Sequence, residues 1–82
     1  MVSIDKFNKL SQDEKAWHIW NGATFLHVRE EKNFRFNLFY IGNYYVELVY
    51  NIRKNEIEEI NAFFTAAFLA PYLDSIALSD LI

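Results

Sequence analysis

The chain has no cysteine, one proline, two glycines and one methionine in its 82 residues. Without cysteine there is no disulfide, no thiolate nucleophile and no zinc ribbon, which fits a reducing compartment and excludes the stapled secreted scaffolds. Two glycines cannot make a dinucleotide fingerprint or a phosphate-cradling loop, since both need several at fixed spacing. No stretch approaches the roughly 18 uninterrupted apolar residues of a membrane span. The segment from Met1 to Lys6 lacks the basic run followed by an apolar run of a leader. The expected address is therefore the cytoplasm, with no membrane partner. The formal charge is -3 with acids and bases interspersed, so no field gathers phosphate backbones and nucleic acid is not an expected partner.

What the chain does have is rings: eight Phe, five Tyr and two Trp, 18% of its residues. A chain of 9.8 kDa buries on the order of 9,000 Å² on folding, roughly 5,000 to 6,000 Å² of it apolar. Aromatic side chains at about 200 Å² each would claim about half of that. Aliphatic residues compete for the same interior, so some rings are expected at the surface or in a subunit interface.

The length suits one small domain spanning 1–82. Ile4, Phe7 and Leu10 recur at helical spacing, with Ser3 as a cap. Ser11-Gln12-Asp13-Glu14 is a capping box, in which the Ser11 hydroxyl and the Glu14 carboxylate satisfy opposite orphan amides. The spacing predicts a helix from about Gln12 to Asn21, stopped at Gly22 by a left-handed cap, with Ala16, Trp17 and Trp20 on its apolar face. From Thr24 the composition turns to β: Thr24 to Glu31, Phe34 to Ile41 and Tyr44 to Arg53 read as three antiparallel strands. Gly42-Asn43 suits a two-residue type II′ turn, and the charged run Glu30-Glu31-Lys32-Asn33 suits the earlier one.

Turn and pattern disagree about register. The turn pairs Ile41 with Tyr44. The best apolar face, Phe34, Phe36, Leu38 and Tyr40 with Val46, Leu48, Tyr50 and Ile52, pairs Tyr40 with Val46, and a one-residue slip exchanges the faces. Asn55-Glu56-Ile57-Glu58 has a second capping-box arrangement, and Ile57, Ile60, Phe64, Ala67 and Phe68 follow a helical stripe to Ala70, where Pro71 ends or kinks it. A short final helix carries Tyr72, Leu73 and Ile76.

The pattern Ala16-Trp17, Gly22, Leu26, Arg29, Tyr44-Tyr45-Val46-Glu47-Leu48, Asn55-Glu56-Ile57, Ile60, Phe63 and Pro71-Tyr72-Leu73 resembles a group of short uncharacterised bacterial proteins. The resemblance covers most of the chain and contains no catalytic signature. It implies that Asn55 to Phe63 is a strand returning from a hairpin, with the helix beginning only afterwards. The segment 56–63 is thus open between helix, which periodicity favours, and a fourth strand.

Glu14 and His18 lie four apart on one helix face, a spacing that could supply two metal ligands with His27 or Glu47 as a third. Two histidines in the whole chain make an ordinary helix-surface pair the better reading. His27, Arg29, Arg35 and Glu47 fall on neighbouring strands, where a carboxylate between basic groups could do acid/base work. A strand with one wet face explains them as simply. The serines, at positions 3, 11, 75 and 79, resemble no nucleophile elbow. Tyr44, Tyr45, Phe39 and Phe25 could form a base-stacking platform, but Glu30, Glu31 and Glu47 beside them argue for core packing instead.

The sequence thus predicts an α+β fold: an N-terminal helical segment, an antiparallel sheet of three or four strands, and a C-terminal helix packed on one face. No catalytic residue, cofactor or metal is expected. The expected role is a non-enzymatic module that binds a protein partner or its own twin, as a homo-oligomer, with Trp20, Phe39 and Tyr45 as contact anchors. Two alternatives stay open. One is a small-ligand-binding or minimal catalytic domain using His27, Arg29 and Glu47 in a cleft between sheet and helix. The other is an inhibitor or immunity-type protein masking a basic partner.

Overall fold

The computed structural model describes residues 2–64. Helix α1 (Ile4–Asn8) starts where the Ser3 hydroxyl accepts the Lys6 amide at 3.3 Å. Helix α2 (Gln12–Gly22) starts on the full capping box: the Ser11 hydroxyl accepts from the Glu14 amide at 3.2 Å, and the Glu14 carboxylate from the Ser11 amide at 3.1 Å. Four strands follow, β1 (Thr24–Glu31), β2 (Phe34–Ile41), β3 (Tyr44–Asn51) and β4 (Glu56–Phe63). They form an antiparallel meander in the order β1-β2-β3-β4, so β1 and β4 are the edges.

Ile41 pairs with Tyr44, as the two-residue turn requires. Gly42 has φ 63 and Asn43 does not share the positive sign, which matches a type II′ turn. This register puts Phe39 and Ile41 on one face with Tyr44, Val46 and Leu48. Both helices pack on that face, towards β4, so Phe7 and Ile19 join those residues and Ile60 in the main core. Each such side chain contributes about 1.5 to 3 kcal/mol by leaving water. Phe34, Phe36, Leu38 and Tyr40 point the other way with Tyr45, Glu47 and Val49, where Leu38 and Phe63 centre a second cluster. The apolar alternation that favoured pairing Tyr40 with Val46 is overruled by the turn.

Residues 56–63 form a strand, not the start of a helix. A bulge explains why they resemble one. Ile57 pairs with Tyr50 and Glu59 with Val49, leaving Glu58 extra. One added residue brings Ile57 and Ile60, three apart, to the same sheet face, which imitates a helical repeat. Asn55, expected to cap a helix, adopts φ 57 in the β3–β4 turn. There the Asn51 side chain accepts from the Lys54 amide at 3.0 Å and donates to the Glu58 carboxylate at 2.7 Å. The strand before it ends at Asn51 rather than Arg53. The expected helix beyond the strand, its end at Pro71 and the short final helix lie outside the described residues.

Helix α2 also departs from expectation. Gly22 belongs to the helix, the extended Ala23 is its C-cap, and the one glycine at positive φ is Gly42. The buried residue of α2 is Ile19, with Ala16 partly buried beside the core, whereas Trp17 and Trp20 are exposed.

The N-terminal helices close one edge of the sheet. The Asn8 side chain accepts from the Ala62 amide at 3.0 Å and donates to the Ala62 carbonyl at 3.2 Å, as a neighbouring strand would. Gln12 donates to the Ile57 carbonyl at 2.9 Å and Lys15 to the Ile60 carbonyl at 3.0 Å. Strand β4 therefore meets side chains where its outward peptide groups would otherwise need water.

Candidate functional site

The helices cover only part of their sheet face, and the uncovered part is aromatic. The indole of Trp20, in the last turn of α2, meets Phe39 edge-on with ring centroids 6.4 Å apart. Phe25 lies opposite Phe39 on β1 and meets it edge-on at 5.8 Å. Phe39 is buried, while Trp20 and Phe25 remain 67% and 54% exposed. These three rings flank a groove of about 510 Å³ that continues over Asn37, Leu48, Tyr50 and Ile57. That volume is in the range of side-chain and small-ligand sites, about 300 to 1,000 Å³. Trp17, exposed like Trp20, extends the apolar surface along α2.

Polar groups in the groove are few and mostly committed. The Arg35 guanidinium places Nε and Nη2 each 2.9 Å from one Glu30 oxygen, so a cross-strand pair pins it at the wall. The Tyr50 hydroxyl donates to the Asn55 side chain. The Asn37 amide adds a donor and an acceptor at the floor. A mostly apolar concavity with one pinned cation and one amide suits recognition by shape rather than proton transfer.

Of the expected anchors, Trp20 and Phe39 come together here and Tyr45 does not. Tyr45 is on the opposite face, stacked on Phe63 at 5.8 Å and edge-on to Tyr40 at 5.2 Å. The four-ring stacking platform is likewise divided. Tyr44 is wholly interior, edge-on to Phe7 at 5.9 Å, with its hydroxyl donating to the Val2 carbonyl at 2.8 Å. Burial pushes the Tyr44 phenol above its ordinary pKa.

The polar constellation His27, Arg29 and Glu47 is also on the face opposite the helices. His27 and Glu47 flank Leu38 in one cross-strand row. Arg29 pairs with Glu31 at 2.9 Å, and its guanidinium carbon lies 4.0 Å from the centre of the Phe36 ring. None of them lines the groove beside α2. Glu14 and His18 are not brought into a ligand set either. Hydrogen bonding to the Ser11 amide holds the Glu14 carboxyl below its ordinary range, with His18 the smallest influence. His18 itself packs between Phe7 at 6.4 Å and Trp17 at 5.1 Å. Among the described residues no three histidine or acidic side chains converge as a metal site would require. No helix among them is long and apolar enough to cross a membrane.

Asn37, Leu48, Tyr50 and Ile57 are groove residues that sequence reasoning did not assign to a site, whereas it weighed Phe25 for a base-stacking platform and Arg35 for an acid/base group. The surplus of rings signalled that some must stay outside the core. Which ones do so depends on the β2–β3 register and on how far two short helices reach.

No family model, curated protein or solved structure matches this chain.

Proposed function

We propose that this chain is a non-enzymatic binding module of the cytoplasm that receives an apolar side chain of a protein partner in the groove between α2 and the uncovered sheet face. The observation that carries the proposal is the continuity of Trp20, Phe25 and Phe39 around a concavity large enough for such a side chain. Aromatic rings around a concave pocket are the usual anchors of protein interfaces. Exposed rings not engaged this way would cost solubility. His27, Arg29 and Glu47, the residues of the catalytic alternative, lie on the opposite sheet face and take no part in this groove. The masking alternative is weak on charge: all eight basic residues and nine of the eleven acidic ones are among the described residues, so that part carries no strong field of one sign.

A C-terminal helix packed over the opposite face belongs to the same reading. Leu38, Val49 and Phe63 are buried there, and no described helix packs on that side. Phe68, Leu69, Leu73 and Ile76 supply apolar residues for such a cover.

The test is an amide-shift titration of the chain with N-acetyl-tryptophanamide and N-acetyl-leucinamide as stand-ins for the anchor. The expected shifts are saturable, centre on Trp20, Phe25, Leu48 and Ile57, and disappear in Trp20→Ala. Shifts scattered over the surface, or none up to the solubility limit, would refute the groove as a binding site.

A further inference from the structure

The two edges of the sheet are treated differently, and the difference points to a partner. Strand β4 is closed by Asn8, Gln12 and Lys15, and it carries Glu56, Glu58 and Glu59, charges that deter another strand. Strand β1 has a bulge at Leu26 and then a regular run from His27 to Glu31. The two-residue turn makes Glu31 and Phe34 a hydrogen-bonded pair, so alternation aims the peptide groups of Val28 and Glu30 away from β2. Among the described residues no side chain meets those groups. Val28 is 37% exposed, on the same face as the more exposed Phe25.

We infer that a second copy of this chain pairs with β1 antiparallel, extending the sheet across a two-fold axis. The inference rests on the interaction reading above and names the partner. Its argument is the polar order along β1, where the imidazole of His27 and the guanidinium of Arg29 come first and the carboxylates of Glu30 and Glu31 after. Antiparallel self-pairing about Arg29 keeps Glu30 and Glu31 away from their own copies, whereas in-register parallel pairing sets each glutamate against its like. A two-fold perpendicular to the sheet keeps each face continuous, so opposed residues must share a face. In the register that uses the whole regular run, Val28 faces Glu30 of the partner subunit and exchanges both backbone hydrogen bonds with it. His27 then faces Glu31 of the partner subunit. Arg29 lies at the axis, where its own Glu31, 2.9 Å away, supplies the counter-charge. The same operation lines up the Val28 and Phe25 side chains of both copies beside the two grooves.

Sedimentation from micromolar to millimolar concentration tests this, with Val28→Pro as the variant. Proline removes an amide that β2 does not use, a substitution edge strands tolerate. The expected result is a monomer–dimer equilibrium for the natural chain and a dissociation constant raised at least tenfold in the variant, with unchanged circular dichroism. Hydrogen exchange on the natural chain gives a second readout free of any folding defect: the Val28 and Glu30 amides should slow as concentration rises, while Arg29 should not change. A strict monomer would overturn the inference and leave the groove titration standing. A dimer that survives Val28→Pro, dissociates in Trp20→Ala and leaves both amides unprotected would overturn it in favour of contact through the aromatic face.

Discussion

Tyr44 ties the first residues of the chain to the start of β3, and replacing it with phenylalanine isolates that tie. The ring stays in place against Phe7, so the packing is conserved and only the hydroxyl is lost. What disappears is a 2.8 Å hydrogen bond to the Val2 carbonyl, formed at a side chain only 1% exposed. A net hydrogen bond is worth about 0.5 to 1.5 kcal/mol, and an orphaned buried partner adds to the loss. Val2 is only partly buried, so water can reach its carbonyl, and a loss of about 1 kcal/mol follows. For a chain of this size that is roughly 4 to 8 °C in Tm. The same residue sets a pH dependence. Burial raises the folded-state pKa of Tyr44 above its unfolded value, so its contribution is fully present below the ordinary tyrosine range near 10 and declines as pH rises through the folded pKa. Urea unfolding at neutral pH and at several values above 10 should show Tyr44→Phe less stable in the first condition and less sensitive to alkali in the second. Equal stability at neutral pH, or parallel alkaline profiles, would refute the reasoning.

Asn8→Ala removes both hydrogen bonds to Ala62. It should lower stability by about 1 to 3 kcal/mol and expose the β4 edge. Light scattering at millimolar concentration should then report species larger than a dimer. Gly22 ends α2 with no neighbouring atom in the way of a Cβ and without positive φ. Gly22→Ala should therefore raise stability by about 0.5 kcal/mol, measured by urea unfolding, whereas a left-handed cap at that position would make it destabilising.

Both helix starts were legible because a capping serine is a local device, complete within one turn: Ser3 caps α1 alone, and Ser11 caps α2 together with Glu14 three residues later. The first three strands were legible from their rings and branched side chains, with boundaries accurate except at the end of β3. The register was not, because β2 is apolar on both sides: Phe36 and Leu38 face one way, Phe39 and Ile41 the other, and no alternation can choose between them. The turn at Gly42 could, and did. At β4 the resemblance implied a returning strand while spacing implied a helix, since a bulge at Glu58 reproduces over one step the interval of a helical turn. The groove was the least legible feature. It exists because α1 and α2 stop short of the β1 edge, and coverage of that kind is a property of assembled elements rather than of any motif.

The unequal finish of the two sheet margins decides what kinds of assembly this chain can build. A ribbon with adhesive sides left and right would recruit unit after unit and lengthen without limit. With the β4 side already occupied by the chain's own asparagine, glutamine and lysine, the union proposed through β1 would use up the one sheet margin left open among the described residues, and growth by strand addition would stop at two. Capping one margin from within would thus turn a surface prone to fibre formation into one that counts to a pair.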